Sequence, residues 1–252
     1  MREHNERSSN EELIVGRNAV SEALRAGRPI DRLLVAKGDR NGRLGPILAQ
    51  CRERGILIKE TDPRRLDELC GSNHQGVAAV AACKEYATVE DILALAAERG
   101  EPPFVVLCDE LEDPHNLGAI LRTAECAGVH GVVIPKRRSA GLTAVVDKAS
   151  AGAAEHMLVA RVPNIPAALK ELKEHGLWVY GTAANANGAL WKTDMKGPIC
   201  LVIGSEGFGM GRLVADSCDF TVSIPLLGKV TSLNASAAAA VMIYEVLRQR
   251  RG

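Results

Sequence analysis

Three short stretches concentrate the side chains that could do chemistry. Asn116 and Arg122 stand six residues apart, in the loop Asp109-Glu-Leu-Glu-Asp-Pro-His-Asn-Leu-Gly118 and the helix expected at residues 119–127. This places Asn116 near the helix start and Arg122 in its second turn. Asn116 could simply cap the helix and Arg122 could pair with Glu125, or the two could act together on a ligand at the mouth of a sheet. Gly204-Ser-Glu-Gly-Phe-Gly-Met-Gly211 is glycine-rich with one acid, Glu206. Such a loop lets backbone lie against a ligand while one carboxylate meets a polar or cationic group; its plain alternative is a turn with a solvated Glu. Ser232, Asn234 and Ser236 then open a helix whose first turns are almost all alanine. Each of the three is an N-cap candidate, and the exposed amides of the first turn suit a polar ligand atom. The alanines leave little side-chain volume, so something must approach that helix closely.

The elements that must position these residues alternate along the chain. Residues 18–26, 44–54 and the segment opened by Asp62-Pro63 read as helices, and residues 32–36, 56–59 and 77–83 as strands, which together make a small α/β unit. Thr88 is a possible cap for a short helix to Arg99. A boundary is expected at Glu101-Pro-Pro103, because neither proline can donate within a helix or sheet. This gives domains at residues 1–84 and 104–252, with 85–103 as linker. Beyond Phe104, short apolar runs at 104–108, 131–134, 158–162, 177–180, 199–203 and 220–224 alternate with helical patterns. That is the signature of a parallel sheet covered on both faces, whose ligands gather beyond the carboxyl ends of the strands. All three chemistry-bearing stretches follow such strands.

Composition narrows the function. The 252 residues are 46% apolar, ample for a real core, and net charge is zero. Residues 1–84 hold 15 Lys+Arg against 12 Asp+Glu, and residues 85–252 hold 16 against 19. The mildly basic front is compatible with nucleic acid, though on charge alone a solvated surface is the better explanation. No long apolar run and a polar start lead to the expectation of a cytosolic chain without signal peptide or membrane span. The cysteines at 51, 70, 83, 108, 126, 200 and 218 are odd in number and lack CxxC or finger spacing, so neither a disulfide framework nor a metal site is expected. Cys108 and Cys200 read as small core residues. The glycine loop is not a dinucleotide fingerprint, since the G-x-G-x-x-G spacing is unmet and the loop follows a late strand; Walker A is missing too.

Taken in order, the three stretches resemble the motifs of the SpoU (TrmH-type) branch of the SPOUT RNA methyltransferases. Asn116-x-Gly118-x-x-x-Arg122 resembles the first motif and Leu201-Val-Ile-Gly-Ser-Glu-Gly207 the second. Ile224-Pro, Ser232-Leu-Asn-Ala-Ser236 and Tyr244-Glu245 resemble the third. Gly16-Arg-Asn-Ala-Val-Ser-Glu-Ala-Leu24 and Asn73-His-Gln-Gly76 are similar to the substrate-binding domain of bacterial 23S ribosomal RNA guanosine 2′-O-methyltransferases.

The resemblance implies a C-terminal parallel-sheet α/β/α domain with a deep trefoil knot, an exception to the rule that chains do not thread loops. It further implies a small L30e-like α/β domain in front, S-adenosylmethionine as cofactor, RNA as partner and a homodimer. Thr182, Gly204, Ile224, Leu226, Leu233 and Ser236 are then expected to hold the cofactor. Asn116, Arg122, Glu206, Ser232 and Asn234 are expected at the reaction, with no metal. Arg17, Arg40, Arg43, His74 and Gln75 are the expected RNA contacts. Arg122 remains protonated in ordinary sites, so its expected part is to orient the ribose or phosphate and stabilise developing oxyanion charge. The competing bases are the substrate phosphate or a dehydrated Arg122, with His115 next to Asn116 as a weaker alternative. A transfer RNA ribose as substrate, or an inactive ribosome-associated RNA-binding factor, remain as alternatives.

Overall fold

The structure, a computed structural model, describes residues 12–38, 44–71, 73–183, 186, 188–205 and 207–252. It forms two compact units: Met1–Glu85 with Gly141–Val145, and Tyr86–Ala140 with Val146–Gly252.

The first unit is a four-stranded sheet of β1 (Leu13–Val15), β2 (Ile30–Ala36), β3 (Leu57–Thr61) and β4 (Val77–Ala81) in the order β1-β4-β2-β3. β4 runs antiparallel to β1 and β2, while β2 and β3 are parallel. Helices α1 (Arg17–Arg25) and α2 (Gly45–Glu53) supply Val20, Leu24, Ile47 and Cys51 to a core on one face of this sheet. On the other face Leu66 of α3 (Pro63–Cys70) packs with Leu34, Ala78 and Val80. β4 is therefore apolar throughout, and a continuous run marks it where alternation would not. Asp62 caps α3 by accepting from Arg64 N, with Pro63 in the first turn, where the missing N–H costs nothing.

The second unit is built on a seven-stranded parallel sheet. Its strands are β5 (Phe104–Cys108), β6 (Gly131–Pro135), β7 (Leu158–Val162), β8 (Trp178–Thr182), β9 (Gly188–Ala189), β10 (Ile199–Ile203) and β11 (Phe220–Ser223), in the order β7-β6-β5-β10-β8-β11-β9. α4 (Val89–Arg99), α8 (Ile165–Glu174) and α9 (Arg212–Asp216) cover one face, burying Ile92, Leu169 and Val214 with Val105, Leu107, Cys200 and Val202. The short helices α6 (Ala144–Ala149) and α7 (Ala153–His156) precede β7. α5 (Pro114–Cys126) and α10 (Ala235–Arg251) pack on one another, α5 meeting β6 and α10 meeting β10. No helix among the described residues is long and apolar enough to cross a membrane.

Two sequence expectations change. The helix expected from Thr88 to Arg99 forms as α4, capped by Thr88 with a reciprocal bond from Asp91, but it belongs to the second unit and is no linker, since Ile92 is fully buried in that unit's core. The physical reason is Gly131 of β6, where an added Cβ would stand 2.4 Å from the Ile92 side chain; the missing side chain makes a socket for α4. α5 begins at Pro114, five residues before the expected start, because Asp113 caps it and Pro114 fits its first turn. Arg122 therefore sits in the third turn of its helix.

The far end of α10 is fixed beneath the sheet. Arg250 donates to the carbonyls of Pro102, Pro103 and Gly197 and stacks over Phe104. Gln249 bonds Met195 N and Thr193 O, and also donates to Glu245, which takes a bidentate pair from Arg248.

Ile92→Ala is expected to cost about 2–5 kcal/mol of unfolding free energy, read by urea denaturation; a midpoint equal to wild type would make residues 85–103 a spacer after all. Bonds from Arg248 hold the Glu245 carboxyl below its ordinary value of 4.5. The pair therefore adds stability at neutral pH that is lost as pH falls from about 4.5 through the folded-state value. Glu245→Gln should flatten that part of the acid limb in thermal melts, and an unchanged limb would remove Glu245 from it.

Candidate active site at the carboxyl ends of the strands

Parallel register brings four strand ends side by side. Ile203 stands opposite Cys108, Val202 opposite Gly181 and Val222 opposite Thr182, so the loops after β5, β10, β8 and β11 emerge as neighbours. Thr182 donates its hydroxyl to Val202 O at 3.0 Å, tying the end of β8 to β10.

The loop after β10 is held from three sides. Ser205 and Gly209 exchange two backbone hydrogen bonds of 2.9 Å. Gly204 lies so close to this turn that a Cβ there would stand 2.3 Å from the Gly209 carbonyl carbon. Met210 packs over Gly181 of β8, where a Cβ would come within 2.6 Å of its terminal methyl. Asp109 at the end of β5 is only 3% exposed, and its Oδ2 accepts from Gly211 N at 2.7 Å. Burial raises the Asp109 carboxyl above its ordinary value against the lowering effect of that bond. Sequence reasoning missed Asp109, whose partner lies 102 residues away. Glu206, at the centre of this loop, lies outside the described residues.

Asn234 is the N-cap of α10, ahead of the other two candidates. Its Oδ1 accepts from Ser236 N, Ala237 N and Ser236 Oγ, and its Nδ2 donates to Asn116 Oδ1 at 3.0 Å. Asn116 is buried in the first turn of α5 and donates to Asp113 Oδ2 at 3.4 Å. The cap of α10 is thus joined to the first turn of α5 by one amide–amide bond, and three of the expected residues, Asn116, Asn234 and Ser236, come together. Asp113, also missed, had a readable signal: an Asp-Pro pair like the one that opens α3.

The other expected residues scatter around this joint. Ser232 is exposed and its hydroxyl has no partner among the described residues. Ile224 is half-buried, while Leu226 and Leu233 expose 37% and 40% of their surface. Arg122 is exposed and makes no ion pair among the described residues. It lies six residues beyond Asn116, about 9 Å along the helix axis and on another face. Within one chain the two do not meet. His115 is exposed, with its backbone N–H given to Asp113. Cys108 and Cys200 are fully buried; burial pushes the Cys108 thiol up to about 12 and Cys200 higher still, which makes both core residues and no nucleophiles.

In the first unit, Arg17 lines an open groove of about 410 Å³ with Asn18, Ser21, Arg25 and Gln75. Gln75 Oε1 accepts from Arg17 N and Nε, so this side chain caps α1. His74 faces inward: Nδ1 accepts from Gly76 N and Nε2 meets Asp67. It holds the turn before β4. Arg40 and Arg43 lie outside the described residues.

Comparison with known proteins gives this geometry a family. Residues 103–244 match the SpoU rRNA Methylase family, and residues 13–87 match RNA 2′-O ribose methyltransferase substrate binding. A Bacillus subtilis protein described as putative TrmH family tRNA/rRNA methyltransferase YacO is 48% identical over 243 residues, covering 96% of this chain and 98% of that one. A Staphylococcus haemolyticus relative described as a putative TrmH family tRNA/rRNA methyltransferase is 48% identical over 94% of this chain and 96% of its own. Among solved structures, the SpoU methyltransferase AviRb from Streptomyces viridochromogenes in complex with AdoMet superposes with a TM-score of 0.62 at 26% identity, covering 97% of this chain and 92% of that one. A parallel α/β unit with its ligand loops at the carboxyl ends is the class that fold and site define. The chain belongs to the SpoU rRNA Methylase family, and is an RNA methyltransferase that uses S-adenosylmethionine.

The joint between Asn116 and Asn234 yields a test. In a double-mutant cycle of Asn116→Ala and Asn234→Ala followed by urea denaturation, a coupling of about 0.5–3 kcal/mol is expected. Strictly additive losses would mean that the two amides do not act on one another.

Proposed function

We propose that the protein methylates a ribose 2′-hydroxyl in ribosomal RNA, with a guanosine of 23S RNA as the target. The observation that carries the ribosomal reading is the front unit. The solved structure "Structural insights into the 2-OH methylation of C/U34 on tRNA" covers 60% of this chain at 25% identity, whereas AviRb covers 97%. An enzyme that carries a whole substrate-binding unit is equipped for a larger, structured RNA. Arg17, with Asn18 and Arg25 beside it in the groove, supplies its contacts there.

The residues at the strand ends fit the cofactor. Partly exposed Ile224, Leu226 and Leu233 offer apolar cover, and the backbone around Thr182 and Gly204 offers hydrogen-bonding groups. When bound, S-adenosylmethionine supplies an electrophilic methyl group on a sulfonium centre. The chain's own task is to aim a weak nucleophile, the hydroxyl, and to manage its charge. Arg122 orients the ribose or its phosphate and stabilises the developing oxyanion. Asn116 and Asn234 hold the two helix starts in register, Ser232 adds a hydroxyl to the hydrogen-bond net, and Glu206 steadies Arg122 or the cofactor edge. The deprotonating group is the substrate phosphate or Arg122, with His115 as a weaker candidate.

Two further parts of this reading concern architecture. The chain from β10 to α10 forms a deep trefoil knot around the cofactor site, and two copies associate through α5 and α10. The separation of Arg122 from the Asn116–Asn234 joint supports the dimer, because a second copy can bring its Arg122 where the first does not. So does the partly exposed stripe Ala237, Val241 and Tyr244 along α10.

Arg122→Ala is expected to keep S-adenosylmethionine affinity within about twofold while methyl transfer falls by about 10²–10³. Wild-type turnover would remove Arg122 from the reaction. Mapping 2′-O-methylation in RNA from a deletion strain should show one lost ribose methyl in 23S RNA; its loss from a transfer RNA would overturn the ribosomal assignment.

A further inference from the structure

The glycine loop carries a side chain that neither the fold nor the cofactor accounts for. Phe208 is 97% exposed. The chain has eight aromatic residues in all, three Phe, two Trp and three Tyr, and Phe208 is the most exposed of them. Burying a phenyl group is worth about 1.5–3 kcal/mol, and here that gain is forgone. The loop is closed by the Ser205–Gly209 bonds, seated by Met210 over Gly181, and clamped by the 2.7 Å bond from Gly211 N to Asp109. Between these anchored residues Phe208 stands in solvent beside the ends of β5 and β8.

A cation stands close by in sequence. Arg212 opens α9 four residues after Phe208; it is exposed and makes no ion pair among the described residues. A flat apolar ring followed by an unpaired guanidinium is the pairing that single-stranded nucleic acid meets in proteins, one group for a base face and one for the adjoining phosphate. We propose that Phe208 is a stacking platform for an unpaired base of the RNA substrate, next to the methylated nucleotide, with Arg212 taking a neighbouring phosphate. This rests on the reading of the protein as an RNA ribose methyltransferase and adds how that RNA is held at the catalytic unit.

The chemistry predicts a specific division of kinetic effects. Stacking on one base is worth about 1–3 kcal/mol, which corresponds to a rise of about 5- to 150-fold in KM for RNA. The experiment measures transfer of tritiated methyl from S-adenosylmethionine to ribosomal RNA and to bulk transfer RNA, both taken from a strain lacking the enzyme. It compares wild type, Phe208→Ala, Phe208→Trp and Arg212→Ala. Phe208→Ala should raise KM for the accepted RNA within that range while KM for S-adenosylmethionine stays within about twofold. Phe208→Trp should restore wild-type RNA affinity, since any flat ring serves, and Arg212→Ala should weaken RNA binding and lower its salt dependence by about one ion. An unchanged KM for RNA in Phe208→Ala overturns the proposal. So does a selective loss of S-adenosylmethionine affinity, which would make Phe208 a cover for the cofactor, or a change of mass in sedimentation, which would make it a seat for a second copy. A wild-type protein that transfers no methyl group to either RNA pool overturns the functional reading itself.

Discussion

One amide–amide hydrogen bond sets the geometry of the site. Asn234 cannot be placed without fixing the start of α10, because its Oδ1 takes the first free N–H groups of that helix. It cannot be so placed without also reaching Asn116, which carries the start of α5. Helices 118 residues apart in sequence are thereby locked at their amino-terminal ends, where their dipoles and unfilled N–H groups favour polar and anionic partners. The alanines of α10 follow from this constraint. Ala235 and Ala239 are buried where α10 packs with α5 and β10, and larger side chains there would lever the two helix starts apart.

The loops then hang from the sheet rather than from one another. Asp109 draws the end of the glycine loop to β5, and Met210 roots the same loop on β8 through the gap left by Gly181. The described part of the carboxyl edge is thus anchored to the strands at Asp109 and Gly181. That arrangement suits an enzyme that must align a hydroxyl with a transferable methyl group and has little covalent chemistry of its own to perform. At the opposite edge, Arg250 and the Glu245–Arg248–Gln249 cluster hold the last turns of α10, so the helix is fixed at both ends.

Much of this was legible in the sequence, and the exceptions are instructive. The strands 104–108 and 199–203 occupy the residues expected for them, because a strand buried on both faces must be apolar throughout and stops where the apolar run stops; 158–162 also lies where expected, although as an edge strand it carries Arg161. The three motif loops were legible for the same reason: they are what remains at the ends of such runs. The start of α5 was misplaced although Asp113-Pro114 repeats the Asp62-Pro63 signal that correctly opens α3; the acidic stretch before it reads as loop. The helix within residues 85–103 was legible, but the segment read as a linker because Pro102-Pro103 ends it, while the glycine that receives Ile92 lies on β6. β1 and β9, at three and two residues, are too short to carry a period. Asp109, and the inward turn of His74, depend on partners that only the folded chain supplies.

The most direct test separates capping from coupling at Asn234. Asn234→Asp keeps an oxygen that caps α10 as well as asparagine does, but replaces the Nδ2 donor to Asn116 with a second acceptor. If the joint positions the reacting groups, this variant will stay folded, losing no more than the about 0.5–3 kcal/mol expected of the joint, and bind S-adenosylmethionine normally, while single-turnover methyl transfer to RNA slows more than about tenfold, the equivalent of about 1.4 kcal/mol. A transfer rate equal to wild type would show that the bond between Asn234 and Asn116 is only a feature of packing.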